Sequence, residues 1–350
     1  MNNRQRDTFG AEELAVVLSH YPLGVIESIT EFARGSRRSP KVGIVCQKGK
    51  FLLKRRDPDR TTRSRVDFAH RLQAHLLRQA FPLPRIVLPV SAPDPASPLL
   101  VIREQMYELF EYVSGHAYTA ADGETADAGR TLAAFHQATR VFEAGPDCPA
   151  GDYHDANAVR TGLNTIPASI SPHESVMGKD AELLSAVNVL YDAYETAAEA
   201  ARRIGIEALS EQVIHSDWHP GNMLFRNGRV AAVIDYDSAR LARRVMDVAN
   251  GVLQFSMLTG PQPEHWPDHL DTQRVHLLLD SYEQVDPLSD EERACIPHLM
   301  IEALIAECTL PIARTGSFGH WQGFRFMQMV RRKVLWLRSH ADDVFARPRA

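Results

Sequence analysis

The sequence predicts an α+β protein in which a small, mostly antiparallel sheet with one main helix precedes a larger, mainly helical region. Short strand-like runs separated by turn residues fill the first third of the chain. Beyond Gly115, apolar residues instead recur at helical spacing over long segments. We therefore predict two domains, residues 1–112 and residues 113–350. The first is built on the sheet and the second on helices.

The N-terminal region is predicted to contain five strands and two helices, in an order set by its turn residues. A basic turn that contains glycine separates the first two strands, a Lys-Gly turn joins the second to the third, and an FPLP segment ends the main helix. The helices are Phe9–Ser19 and Arg65–Gln79, and the strands are Val25–Phe32, Val42–Gln47, Lys50–Arg55, Leu99–Arg103 and Met106–Val113.

The C-terminal region is predicted to be mainly helical and to carry one β-hairpin. Helical patterns cover Glu124–Phe142, Lys179–Ile204 and most of the chain beyond Asp247. Two short apolar runs, Gln212–His215 and Ala231–Asp235, bracket a segment rich in polar residues. We expect the ends of these strands to bring polar side chains together at the base of a single hairpin.

Composition and charge exclude several classes of function. The 350 residues are 44% hydrophobic and 24% charged, which is ordinary for a globular protein. The 39 Lys and Arg against 44 Asp and Glu give a formal charge of −5, which disfavours a general nucleic-acid binder. The polar N-terminus has no apolar signal core, and no stretch approaches the roughly 18 apolar residues of a membrane span. We expect a soluble, cytoplasmic protein without a nucleic-acid or membrane partner.

The four cysteines indicate neither a zinc site nor a disulfide framework. Cys46, Cys148, Cys295 and Cys308 lie far apart in the sequence, and none of them has CxxC spacing. This pattern agrees with a protein of a reducing compartment.

The strongest signal for chemistry lies in residues 213–225, VIHSDWHPGNMLF, and residues 230–239, VAAVIDYDSA. The pattern is H-x-D-x-x-x-x-N, followed by a strand that ends in Ile-Asp. Phosphoryl transfer from a nucleotide needs a carboxylate that accepts the hydroxyl proton, and an amide oxygen and a second carboxylate that hold magnesium. Asp217 suits the first role, and Asn222 with Asp235 suits the second.

These segments resemble the catalytic and metal-binding segments of the aminoglycoside phosphotransferase/choline kinase-like family, which includes homoserine-kinase-like small-molecule kinases. The resemblance spans most of the chain and implies a bilobal protein-kinase-like fold that binds ATP and Mg²⁺ between its lobes. It implies that Asp217 is the catalytic base and that Asn222 and Asp235 ligate magnesium. His215 would brace the catalytic loop, and Asp247 would have a structural role at the start of a helix.

The N-terminal region carries residues that suit the nucleotide side of such a fold. Lys54 closes the third predicted strand, where a kinase-like fold places the lysine that contacts the ATP phosphates. The turn that contains Gly35 and Ser36 falls where such folds place the phosphate-covering loop, although it departs from the G-x-G-x-x-G pattern. Backbone groups near Glu111 and Val113 would read adenine at the crossing between the lobes.

One departure from the kinase pattern concerns the partner of Lys54. In protein kinases this lysine pairs with a glutamate on the following helix, but residues 33–102 contain no glutamate. Either Asp67, the only acid on the predicted helix, replaces it with a shorter reach, or Lys54 is held in another way. Asp237, which follows in Asp-Tyr-Asp, is a candidate for contact with the water shell of the metal or with a cationic substrate.

Other interpretations of the motif are open. Taken alone, His215 could be an interior histidine in an accidental turn, and Trp218 and His219 either line the acceptor pocket or pack the loop. A hydrolase triad of Ser216, His219 and Asp217 is set aside, because neighbours in sequence rarely form a triad and no G-x-S-x-G elbow is present.

The sequence predicts an ATP- and Mg²⁺-dependent kinase that transfers the γ-phosphoryl group to a hydroxyl of a small polar metabolite, such as an amino alcohol, homoserine or a sugar-like compound. Residues 238–250 are predicted to run straight into a helix, which leaves little room for a peptide-docking activation loop. The alternatives are a protein Ser/Thr kinase, an aminoglycoside-modifying kinase and a catalytically weak nucleotide-binding regulator. Local spacing reveals neither the acceptor nor the oligomeric state.

Overall fold

The structure, a computed structural model, describes residues 6–32, 38–57, 59, 61–90, 97–170 and 178–345. The chain divides into two compact units, here called unit 1 and unit 2. Unit 1 comprises Met1–Ala117, Phe142–Pro149 and Asn222–Asp237, and unit 2 comprises Tyr118–Val141, Ala150–Gly221 and Ser238–Ala350.

The helices and strands confirm the predicted α+β class, with an antiparallel sheet in the N-terminal region and helices in the C-terminal region. The helices in the described residues are α1 (Ala11–Ser19), α2 (Arg63–Arg78), α3 (Asp122–Thr139), α4 (Asn157–Ile170), α5 (Asp180–Ile204), α6 (Arg244–Ser256), α7 (Thr272–Glu283), α8 (Asp290–Thr315) and α9 (Gly323–Phe345). The strands there are β1 (Ile26–Glu31), β2 (Lys41–Cys46), β3 (Gly49–Arg55), β4 (Ile86–Val87), β5 (Leu100–Ile102), β6 (Gln105–Glu111), β7 (Glu211–Ile214), β8 (Met223–Arg226), β9 (Arg229–Val233), β10 (Arg240–Arg243), β11 (Ser317–Phe318) and β12 (Trp321–Gln322).

Unit 1 is built on an antiparallel sheet in the order β1-β2-β3-β6-β4, and β5 also pairs with β6. Burial alternates along β2, so that Val42 and Ile44 point into the core while the residues between them do not. Leu53 and Leu109 on neighbouring strands have no exposed surface. Burial of one such leucine contributes about 1.5–3 kcal/mol to the stability of the folded state. The face of the sheet that carries these side chains is therefore occupied by the core, and a ligand can bind only at the other face.

The β2–β3 hairpin has a different register from the predicted one. Cys46 pairs with Gly49, so the turn residues are Gln47 and Lys48 rather than a Lys-Gly pair. Gly49 follows the turn with φ of 128°, a conformation that favours glycine. As a result Lys54 lies opposite Lys41 on the neighbouring strand.

Helix α2 lies within two residues of its prediction at each end. The Thr62 side chain caps its N-terminus by accepting a hydrogen bond from the Arg65 backbone N–H. Val66, Leu72 and Leu76 form its buried face. The helical spacing of these apolar residues explains why the sequence predicts this helix well.

The prediction that the C-terminal region carries a single hairpin is wrong. β7 pairs with β10 in unit 2, where Ile214 lies opposite Arg240, whereas β8 pairs with β9 in unit 1. Residues 240–243 form β10 before α6 begins at Arg244, so the chain does not run straight into a helix. Four residues are too few for their periodicity to distinguish a strand from a helix start.

Helix α8 is the central helix of unit 2 and packs against α4, α5, α6 and α9. It begins with a capping box formed by Ser289 and Glu292, and it ends at Gly316, whose φ is 69°. Contrary to the sequence analysis, α8 is long and apolar enough to cross a membrane by length and composition alone. However, 72% of its most apolar window is buried, as in the core helix of a globular unit.

Candidate active site

The segment that carries Asp217 is held by its backbone. Asp247, in the first turn of α6, accepts hydrogen bonds from the backbone N–H groups of His215 and Ser216 at 2.6 and 2.7 Å. Ser216 has φ of 62°, in the left-handed region that non-glycine residues rarely adopt. The Asp217 side chain, which follows this anchored turn, is 40% exposed.

His215 and Trp218 are packed inside unit 2. Both side chains are fully buried, and their ring centroids lie 5.5 Å apart at an interplanar angle of 85°. Phe135 on α3 contacts both rings. Trp218 therefore packs the loop and does not line an acceptor pocket, and His215 occupies the interior position that a bracing role requires.

His219 lies next to the predicted base. Its Nε2 is 3.6 Å from the Asp217 carboxylate, and its Nδ1 accepts a hydrogen bond from the Gly221 backbone N–H at 2.9 Å. Glycine fits here because a Cβ at position 221 would lie 2.6 Å from His219 Cε1. The histidine thus has a defined orientation towards Asp217.

The predicted magnesium ligands lie across the open end of the β8–β9 hairpin in unit 1. The Ile234 backbone N–H donates to the Asn222 carbonyl at 2.9 Å, and Asp235 follows Ile234 with φ of 66°. One carboxylate and one amide oxygen are donors that Mg²⁺ accepts together with water and phosphate oxygens. Among the described residues, no group of three or more His, Cys, Asp and Glu side chains offers an alternative metal site. The residues present fit magnesium.

Unit 1 contains a cavity of about 160 Å³, here called the unit 1 cavity. Its lining combines charged and apolar side chains and includes four of the predicted site residues. The lining residues are Phe32, Lys41, Leu52, Lys54, Arg56, Gln73, Pro84, Phe110, Glu111, Tyr112, Val113, Leu224, Ile234, Asp235, Tyr236 and Asp237. Lys54, Glu111, Val113 and Asp235 are thus brought to one cavity.

Lys41 is a second cation in this cavity that sequence reasoning missed. It lies opposite Lys54 in the ladder, and both lysines line the cavity. Burial and then the charge of Lys54 lower the pKa of Lys41. The correct register of the β2–β3 hairpin would have identified Lys41 as the residue opposite Lys54. The predicted turn lies one residue later in the sequence than the observed turn, and it places Gly43 opposite Lys54 instead.

The partner of Lys54 is Asp237. The Lys54 ammonium lies 3.0 Å from an Asp237 carboxylate oxygen, whereas Asp67 on α2 pairs with Arg63 at 3.5 Å. Of the two alternatives left open by the sequence, Lys54 is therefore held in another way, by an acid two residues beyond Asp235.

A buried ion network supports this pair, and no local sequence pattern indicates it. Arg56 donates to Asp237 at 2.8 Å and forms two hydrogen bonds to Glu108 on β6, at 2.7 and 2.8 Å. His70 on α2 donates from Nε2 to Glu108 Oε1 at 2.5 Å, and this oxygen also accepts one of the two bonds from Arg56. Burial alone would raise the pKa of Glu108, but the charge of Arg56 and the bond from His70 hold it far below its ordinary value. The network connects α2, β6 and β3 to Asp237.

Glu111 and Val113 are the predicted nucleotide contacts that the structure describes at the end of β6. Gly35 and Ser36 lie outside the described residues. Glu111 and Val113 both line the unit 1 cavity. The backbone N–H of Glu111 donates a hydrogen bond to the Arg85 carbonyl, and the backbone N–H of Tyr112 donates one to the Lys50 carbonyl.

The chain is similar to known phosphotransferases over most of its length. The model of the phosphotransferase enzyme family, APH, matches residues 29–288. The serine/threonine protein kinase RdoA of Salmonella typhimurium is 25% identical over 276 residues, which are 77% of this chain and 72% of that protein. Aminoglycoside phosphotransferase from Alicyclobacillus acidocaldarius has a TM-score of 0.69 at 19% identity, and the match covers 98% of this chain and 99% of that one. Amicoumacin kinase hAmiN, solved with AMP-PNP, Ca²⁺ and Ami, has a TM-score of 0.67 at 13% identity and 93% coverage of both chains.

The fold and the match define the class of the protein. The two solved structures are under 25% identical to this chain, so they show the fold, which is that of kinase-like phosphotransferases. The family match covers well over half of the chain. The chain therefore belongs to the phosphotransferase enzyme family, and it is a kinase.

Proposed function

We propose that this kinase transfers the γ-phosphoryl group of ATP, with Mg²⁺, to a hydroxyl of a small-molecule acceptor. The observation that supports this most is the lining of the unit 1 cavity, which combines Lys41, Lys54 and Asp235 with apolar side chains. The two ammonium groups suit phosphate oxygens, and the apolar Leu52 and Leu224 suit a purine ring. A similar protein, amicoumacin kinase, was solved with an ATP analogue and a divalent cation.

Asn222 and Asp235 would hold the magnesium ion in this proposal. Their oxygen atoms are the donor type that Mg²⁺ prefers, and the cavity that Asp235 lines also carries both lysines. When bound, the ion would neutralise charge on the phosphate oxygens. Lys54 would remain aligned through its ion pair with Asp237.

Asp217 would act as the catalytic base. Its half-exposed carboxylate would accept the proton of the acceptor hydroxyl while the hydroxyl oxygen bonds to phosphorus and the bond from phosphorus to the ADP oxygen breaks. The hydrogen bonds from the preceding backbone to Asp247 hold the loop, so the carboxylate needs little reorganisation before reaction. His215 would brace the loop from the interior.

Adenine recognition is assigned to the end of β6. The N–H groups of Glu111 and Tyr112 already donate hydrogen bonds to backbone carbonyls. In this segment we therefore assign the hydrogen bonds to adenine to the Val113 N–H and the Glu111 carbonyl. Gly35 and Ser36 keep their predicted role in covering the phosphates.

A small-molecule acceptor is favoured over a protein. Only residues 236–243 separate Asp235 from the start of α6, and four of these form β10, so little chain is left for an activation loop. The similarity to the protein kinase RdoA keeps phosphorylation of a protein as the second candidate. Transfer to casein, or to the chain itself, would favour that candidate.

The test is a screen of a metabolite pool with purified protein and labelled ATP, repeated with Asp217→Asn. We expect the variant to lower kcat by about 10²–10⁴-fold, because it removes the proton acceptor while leaving the unit 1 cavity intact. Calorimetric MgATP affinity should stay within about twofold of the wild-type value.

Asp192→Asn is the matched control, because it makes the same charge change at an exposed position of α5 in unit 2. Its turnover should equal that of the wild type. Near-normal turnover of Asp217→Asn would exclude Asp217 as the base. MgATP binding without transfer to any acceptor would instead identify a nucleotide-binding regulator.

A further inference from the structure

Unit 2 contains a second and larger cavity, of about 580 Å³, here called the unit 2 cavity. Its size falls in the range of pockets that hold drug-sized ligands. Pro220, three residues after Asp217, is part of its lining. A pocket so close to the predicted base in sequence, and within the same unit, is the candidate acceptor site.

Most of the cavity wall is apolar. Phe318 on β11 and Phe326 on α9 stack with ring centroids 4.0 Å apart, and Trp266 contacts Phe326 edge-on at 5.9 Å. Met257 and Met329 complete this wall. Methionine and aromatic side chains accommodate a bulky apolar group, and they cannot hydrogen-bond the many hydroxyls of a sugar.

One carboxylate belongs to the cavity lining. Glu307 on α8 lines the cavity, and its Oε2 accepts a hydrogen bond from the Gln254 amide at 2.6 Å. Among the described residues, no lysine or arginine forms an ion pair with it. Arg274 also lines the cavity, but its guanidinium is paired with Asp271 at 3.0 Å.

The electrostatic surroundings of Glu307 favour a cation. Enclosure by protein and then the charge of Asp217 raise the pKa of Glu307 to about 7, while His219 and the bond from Gln254 act in the opposite direction. Two carboxylates that repel one another are stabilised when a positive group binds close to them. A bound ammonium would therefore favour the ionised form of Glu307.

We propose that the acceptor is an amphiphilic amino alcohol with one ammonium group, an aromatic or branched alkyl body, and the hydroxyl that receives the phosphoryl group. Glu307 binds the ammonium, the wall of Phe318 and Phe326 binds the body, and the hydroxyl faces Asp217. This inference rests on the proposed function and narrows its acceptor.

The cavity argues against three other acceptor classes. A polycationic aminosugar needs several free carboxylates, whereas this cavity is largely apolar and offers Glu307. A zwitterion such as homoserine needs a free cation for its carboxylate, and Arg274 is already paired. An acceptor of three or four carbons would leave most of the 580 Å³ to water and would not use the aromatic wall.

The test compares kcat/KM across a panel of acceptors with MgATP. Phenylalaninol and leucinol represent the class; N-acetylphenylalaninol lacks the charge, ethanolamine lacks the apolar body, homoserine adds a carboxylate, and kanamycin is a polycation. We expect phenylalaninol and leucinol to exceed each of the other four by about tenfold or more, as expected for one charged hydrogen bond or one buried apolar group.

Variants separate the two recognition elements. Glu307→Gln should remove the advantage of phenylalaninol over N-acetylphenylalaninol, and Phe318→Ala should remove its advantage over ethanolamine. Glu199→Gln, which makes the same charge change at an exposed position of α5, should change neither ratio. Thermal unfolding establishes that each variant is folded.

Calorimetric binding of phenylalaninol to the nucleotide-free protein separates this inference from the proposed function. Binding that Glu307→Gln weakens by about tenfold, without transfer to any acceptor of the panel, supports the ligand class assigned to the unit 2 cavity and contradicts the proposed function. Transfer to ethanolamine, homoserine or kanamycin at equal or higher kcat/KM overturns the inference while the proposed function stands. Absence of both binding and transfer for phenylalaninol and leucinol also overturns it.

Discussion

Replacing Glu108 with glutamine should destabilise unit 1 by about 3 kcal/mol. Glu108 has no exposed surface, and its partner Arg56 is 3% exposed. Removal of one partner of such a pair typically costs 3–5 kcal/mol, because the other charge stays buried without compensation. Asp237 still lies 2.8 Å from Arg56, so we expect the lower end of that range.

The effect should depend on pH with a defined sign. Burial would raise the pKa of Glu108, but Arg56 and His70 hold it well below its ordinary value of 4.5. A carboxyl group with a depressed pKa stabilises the folded state above pH 4.5, and this contribution is lost as the pH falls below that value. The difference between wild type and Glu108→Gln should therefore be complete at neutral pH and shrink under acidic conditions.

Hydrogen exchange read by mass spectrometry localises the effect. Peptides from β3 and β6 should lose about 100-fold in protection, which corresponds to 3 kcal/mol. The tryptophans, Trp218, Trp266, Trp321 and Trp336, all lie in unit 2, so fluorescence-detected unfolding reports on the other unit. We expect the fluorescence transition to change little.

Glu31→Gln makes the same charge change on the exposed strand β1 and serves as the control. Its effect should stay within about 0.5 kcal/mol. A loss of less than about 1 kcal/mol in Glu108→Gln would refute the reasoning, because it would mean that Arg56 is compensated without its buried partner.

Two further predictions concern the unit 1 cavity. Asp235→Ala should weaken MgATP binding by about tenfold or more, because it removes a proposed metal ligand. It should weaken the binding of metal-free nucleotide less. An unchanged calorimetric affinity for MgATP would contradict the metal assignment. Asp237→Asn should raise the KM for ATP by about tenfold, because Lys54 loses the carboxylate that aligns it, while Asp67→Asn should leave this KM within about twofold. Equal effects of the Asp237 and Asp67 variants in steady-state kinetics would show that the Lys54 ion pair does not position the phosphates.

Local patterns in the amino-acid sequence determine much of this protein. The helical spacing of apolar residues predicts α2 to within two residues at each end, because one face of that helix is buried. The two strand-like runs and the turn residues between them predict the β2–β3 hairpin with the correct strands. The order of Asp217, Asn222 and Asp235, with Lys54 upstream, indicates the kinase family that the family match shows.

Short segments are less well determined. A turn placed one residue late shifts the partner of Lys54 from Lys41 to Gly43, because cross-strand pairing depends on where the loop begins. Strand β10 was not predicted from the sequence, and neither was the separation of β7 and β8 into two different ribbons. In both cases the deciding residues number four or fewer, which is too few to distinguish a strand period of 2.0 residues from a helical period of 3.6 residues.

The amino-acid sequence by itself determined the fold class, the family and the acids of the motif, since these depend on residue types at short spacing. Only the tertiary structure decided the partner of Lys54, which lies 183 residues away at Asp237, and the buried link from His70 through Glu108 to Arg56. It also brought Glu307 to one cavity with Phe318 and Phe326. The physical reason is that ion pairs and cavity walls are formed between segments distant in the chain, and no local period records which charge will meet which.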